Sequence, residues 1–154
     1  MDHSGSHQSH QYRMLAVNLA ASLFVMYVVM FSMIDSGNEF YNNLNMLYMA
    51  LTMWAPMGIL MLLTMRAMYP NKKLNLVLHI GFAGIFVLSF LGTRTQAAIG
   101  DEQFLRSMIP HHSGAILMCR QAALADPEIV VLCGQIQQSQ RAEIDQMKRI
   151  LERH

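Results

Sequence analysis

Three long stretches without a charged residue constrain this chain more than anything else in it. They cover 14–34 (21 residues), 46–65 (20 residues) and 74–91 (18 residues), and His79 is the one charge-capable interruption of the third. A helix rises 1.5 Å per residue, so about 20 apolar residues cross roughly 30 Å of hydrocarbon. Each run therefore predicts a membrane-spanning helix, and the lipid bilayer becomes the first expected partner. The first run does not read as a cleaved signal peptide: the preceding MDHSGSHQSHQY has no Lys or Arg, and no small-x-small site follows. Orientation follows from lysines and arginines in short loops. The 66–73 loop carries Arg66, Lys72 and Lys73, with Arg13 on the same side, whereas 35–43 has none and only Arg94 and Arg106 come soon after the third run. The expectation is an integral protein of a bacterial inner membrane, N-terminus inside and the part after Leu91 periplasmic or extracellular. With a net charge of +1 and no basic run, nucleic acid is not an expected partner.

After the third run the pattern turns amphipathic. Gly100-Asp101 marks a helix start, Pro110 predicts a kink, and the helical pattern continues to about Leu124. Asp126-Pro127-Glu128 is a second start, with Asp as cap and Pro at the first helical position. Apolar residues then recur at helical spacing to about Arg153. The fold class is thus all-α: three transmembrane helices followed by an extramembrane αα-hairpin. The organisation is a His-containing tail at 1–13, a membrane region at 14–92 and a hairpin domain at 100–154.

The hairpin contains MIPHHSGAILMC, residues 108–119. At 100° per residue, Met108, His111, His112, Met118 and Cys119 share one face, where imidazole and sulfur select Cu(I), with Zn or Cu(II) as alternatives. A turn centred on Asp126 sets Cys119 opposite Cys133 and His112 opposite Gln140, with Met108 near Glu143 and Met147. Met147 is then the expected ligand from the second helix, while Gln140 and Glu143 hold an imidazole N–H so that the other nitrogen faces the metal. The two cysteines leave three readings open: a disulfide, two metal ligands, or small core residues. His3, His7 and His10 offer an accessory Cu(II) site in the tail, against a plain polar tail. Two helices this short bury little by themselves, which predicts a homo-oligomer, most simply a dimer forming a four-helix bundle.

Asp101, Phe104, Met108, His111, His112, Gly114, Ala115 and Met118, followed by Gln140, Glu143, Ile144 and Met147, resemble the pattern of the domain of unknown function 305 family, a family of ferritin-like helical proteins. The resemblance covers about 100–152. It implies a ferritin-like half-bundle and a role like that of the family's periplasmic copper-binding members. Leu117 replaces an acidic residue common in relatives and Cys119 replaces a small one, a change toward soft ligands.

An enzyme is not expected: no Glu-x-x-His pair, glycine-rich phosphate loop, Gly-x-Ser-x-Gly or His-Glu-x-x-His occurs. The reading is a membrane-anchored copper-binding protein of copper homeostasis or tolerance. One alternative is a copper-conducting membrane protein using the stripe Met46, Met49, Met53, Met57, Met61, Met65 and Met68, with Met26, Met30 and Met33 of the first run as its partners. The other is a structural or interaction protein. The stripe itself reads first as adaptable apolar filler.

Overall fold

The structure, a computed structural model, describes residues 3–154, with side chains from residue 9 onward. Among the described residues five α-helices follow one another: α1 (His3–Val29), α2 (Leu44–Thr64), α3 (Lys72–Thr95), α4 (Asp101–Gln121) and α5 (Pro127–Leu151). Two short 3-10 turns, Met30–Met33 and Gly37–Glu39, lie between α1 and α2, and the described residues contain no strand. Segments Ser9–Met33, Leu44–Thr64 and Lys72–Thr95 are long and apolar enough to cross a membrane. The all-α expectation of three such helices and a hairpin holds.

At their N-terminal ends the helices outrun the charge-free runs. Helix α1 begins at His3, so the 1–13 segment expected as a tail is helical from residue 3 on. No proline stands there to stop a helix, and extending one costs far less than nucleating it. Helix α3 starts at Lys72 because the Asn71 side chain caps it, accepting the Leu74 N–H at 3.0 Å.

The chain forms two compact units. The first comprises residues up to Val29 with Leu47–Ala97; the second comprises Met30–Met46 with Ala98–His154. In the first, Leu15, Ala55, Leu62, Tyr69 and Phe82 are buried together. Gly58 permits the closest approach: a Cβ there would stand 2.7 Å from the Phe82 ring. Small residues let apolar helices meet in this way. The Trp54 indole N–H donates to the Leu19 carbonyl at 2.8 Å, and the Thr52 hydroxyl donates to Ser89 at 3.1 Å. The buried residues of α2 are Ala50, Ala55, Gly58 and Leu62, whereas Met53 and Met57 of the methionine stripe are half exposed.

In the second unit α4 and α5 pair as an antiparallel hairpin, and the α1–α2 connection, Met30–Met46, lies along α4 as a strap. The hairpin core is Leu105, Ile109, Ile116, Ile144 and Met147. Asp126 caps α5 as expected, accepting the Glu128 and Ile129 N–H groups. Helix α4 runs without a break across Pro110. The carbonyl that the proline deprives of its donor, that of Arg106, accepts the Asn43 side-chain N–H from the strap at 3.4 Å. On the same side, Gly114 comes close enough to the Met33 carbonyl that an added Cβ would lie 3.4 Å from it.

Candidate functional site

The residues expected to form one copper centre are distributed over different faces of the hairpin. His112 is buried, and His111, the next residue along, is exposed. Met147 packs into the core at 9% exposure, while Met118 is 54% exposed. Met108 lies between these extremes, at the edge of the core cluster. Cys119 is joined to Cys133 in a disulfide, with the Cα atoms 5.3 Å apart. This selects one of the three cysteine readings and corrects the assignment of Cys119 as a metal ligand, because the disulfide leaves it no thiolate. Among the described residues no three His, Cys, Asp or Glu side chains gather as a metal-holding group. A single centre drawing on all six expected ligands does not fit this arrangement.

His112 has its own partners. Its Nδ1–H donates to the Met108 carbonyl one turn back at 2.9 Å, and its Nε2 faces Glu143 Oε2 at 2.7 Å across the hairpin. The other carboxylate oxygen of Glu143 accepts the Ser139 hydroxyl at 2.7 Å. Those hydrogen bonds, from Ser139 first and His112 second, hold the Glu143 carboxyl below its ordinary value of 4.5, against the opposing effect of desolvation. Glu143 therefore grips the imidazole as expected, but with the second ring nitrogen turned to its own helix instead of to a metal. Gln140, expected at this level, gives way to Glu143 three residues on. The register that aligns Cys119 with Cys133 has slipped by nearly one turn at His112. Met147 serves the core, which removes it from the surface where an ion would arrive.

The exposed face of α4 and its border with the core keep a smaller donor set. Met108 and His111 are three residues apart and therefore neighbours on a helix. Met118 follows His111 by seven residues, the same face about 10 Å further along. Thioether and imidazole at such a spacing suit a soft ion. Of the tail histidines, the side chains of His3 and His7 lie outside the described residues, and His10 Nδ1 faces the Arg13 guanidinium at 3.3 Å.

The sequence reading missed the most deeply buried polar cluster. Asp35 and Glu39 of the strap have side chains only 4% and 1% exposed. Arg141 of α5 bridges them, donating to Glu39 and, at 2.9 Å, to Asp35. Arg120 pairs with Asp35 at 3.0 Å, and Lys148 stands 3.9 Å from Glu39. The Ser113 hydroxyl donates to Glu39 and accepts the Asp35 N–H at 2.6 Å. Charge complementarity was the available signal: two acids in a loop without Lys or Arg, against the cations Arg120, Arg141 and Lys148 of the hairpin.

A family model described as "Domain of unknown function (DUF305)" matches residues 91–151. An uncharacterized protein of Acanthamoeba polyphaga mimivirus, L153, is 37% identical over 112 residues, covering 71% of this chain and 72% of the viral one. No solved structure matches.

Proposed function

From the premise that this chain belongs to the DUF305 family through residues 91–151, we propose that it is a membrane-anchored protein that binds copper as Cu(I) on the outward face of α4. The observation that carries this reading is the exposed His111 one helical turn from Met108, which is half-buried at the edge of the hairpin core. His112 belongs to the framework: with Glu143 it ties α4 to α5 and orients the exposed pair. Two donors leave a coordination shell open, and a second copy of the chain, laid against the same face, supplies another Met108 and His111. That pairing also covers the exposed Phe104 and Met118 and builds the ferritin-like four-helix bundle. The disulfide favours an oxidising compartment, which supports an outer location for the hairpin.

The test is a Cu(I) competition titration of the full chain in detergent. A Met108→Leu, His111→Ala variant is expected to lose at least tenfold in affinity, the effect of roughly 1.4 kcal/mol. His112→Ala is expected to keep the affinity and lose thermal stability. Unchanged binding in the first variant, or loss only in the second, sinks the proposal. The methionine stripe receives no support as a path within one chain, because Met53 and Met57 face outward.

A further inference from the structure

Where α2 hands over to α3, the first unit contains a half-open cleft of ≈ 540 Å³. Its rim carries Arg66 and Lys72, its wall is Leu62, Leu63 and Leu76, and His79 also lines it. The frame is held in place by side chains. The Tyr12 hydroxyl donates to Asn75 Oδ1 at 2.8 Å and accepts the Asn71 N–H at 3.2 Å, while Asn75 Nδ2 donates to the Tyr69 carbonyl at 2.7 Å.

His79 sets the chemistry. Its Nδ1 lies 2.6 Å from the Asn75 carbonyl, which can only accept, so the proton sits on Nδ1. Nε2 is left as a lone-pair acceptor, fully buried and without a hydrogen-bond partner among the described residues. An unsatisfied polar atom at this depth in an apolar helix pair is costly. The cleft thus combines two cations, the N-terminus of α3, one acceptor in want of a donor and an aliphatic wall. These are the complements of an anionic phosphate ester, a hydroxyl and an acyl chain.

We infer that this cleft is a binding site for an anionic phospholipid with a hydroxylated headgroup. Its phosphate lies against Arg66 and Lys72, a headgroup hydroxyl donates to His79 Nε2, and an acyl chain follows Leu62, Leu63 and Leu76 toward the bilayer. A free phosphate would satisfy the cations but leave the leucine wall and His79 unused.

The experiment is a native mass-spectrometric titration of the detergent-solubilised full chain with phosphatidylglycerol, phosphatidylcholine and inorganic phosphate. Phosphatidylglycerol is expected to bind at least tenfold more tightly than either of the others. An Arg66→Gln, Lys72→Gln variant should weaken it roughly tenfold to thirtyfold, from about 1 kcal/mol per charge near a membrane surface. His79→Leu, which keeps the helix apolar, should weaken it about fivefold, the effect of one hydrogen bond. Lys73→Gln removes a charge from the same loop but outside the cleft, and should change it less than threefold. Equal binding of phosphatidylcholine overturns the inference, as does a Lys73→Gln loss as large as that of the double variant. Inorganic phosphate binding as tightly as the lipid would make this a free-anion site and overturn it too.

Discussion

Arg141 stands between two carboxylates that water scarcely reaches, and this makes its loss asymmetric with theirs. Removing it by Arg141→Ala leaves Glu39 and Asp35 buried with only Lys148, Arg120 and Ser113 for company. Breaking one side of a buried ion pair costs about 3–5 kcal/mol, and the remaining partners put this case at the low end. Glu39→Gln removes the charge that would otherwise be stranded, so it should cost less. Chemical denaturation of the two variants checks the order; equal losses would overturn the asymmetry, and no loss in either would mean that the network is dispensable. Glu143 offers a pH handle nearby. Its folded carboxyl is held below 4.5, so its contribution to stability is present above that value and fades as the pH falls below it. Ser139→Ala, which deletes the largest cause, should raise the carboxyl's titration midpoint in NMR. It should also flatten the acid limb of thermal stability below pH 4.5. An unchanged midpoint would show that His112 alone sets it.

Helix α5 was legible almost to the residue, because Asp126-Pro127-Glu128 is a local start signal whose atoms find their partners within one turn. The facing of Cys119 and Cys133 was legible for a related reason: close to a tight turn, counting residues is enough. Further from the turn that counting fails. By His112 the partner is Glu143 instead of Gln140, since side-chain packing and not symmetry about the turn fixes where two helices touch. The buried role of Asp35 and Glu39 was illegible to any periodicity, because the strap is irregular and its partners lie on a distant helix. The disulfide closes a loop of sequence separation 14, and loops of that length confer about 3 kcal/mol by restricting the unfolded chain. Cys119→Ser, Cys133→Ser should therefore lower the melting temperature of the hairpin while leaving its helicity intact by circular dichroism below the transition. No shift at all would mean that packing alone fixes the tip. In the other unit, Gly58→Ala drives a methyl group into the Phe82 ring. Overpacking of that kind costs about 1–3 kcal/mol, measurable as reduced thermal stability in detergent; an unaffected variant would show that the ring is free to move aside.

At the scale of the whole chain, the second unit unites the α1–α2 connection with everything after Ala98. Two segments so interleaved share one side of any membrane that α1, α2 and α3 cross, and the 66–73 loop takes the other. Cysteines introduced at Gly37 and Glu152 in a chain lacking its native pair should react with an impermeant maleimide together, and one at Lys73 should react only after the membrane is opened. Labelling Lys73→Cys and Gly37→Cys from the same side would refute three crossings. The interleaving also has a consequence in time. Asp35 and Arg141 are 106 residues apart, and a ribosome adding about 5–20 residues per second takes on the order of 5–20 s to cover that distance. For most of that interval the strap carries two carboxylates whose cations, Arg120, Arg141 and Lys148, have not yet been made. The nascent protein must keep them in water, and the strap can close onto its helices only when the last quarter of the polypeptide has arrived.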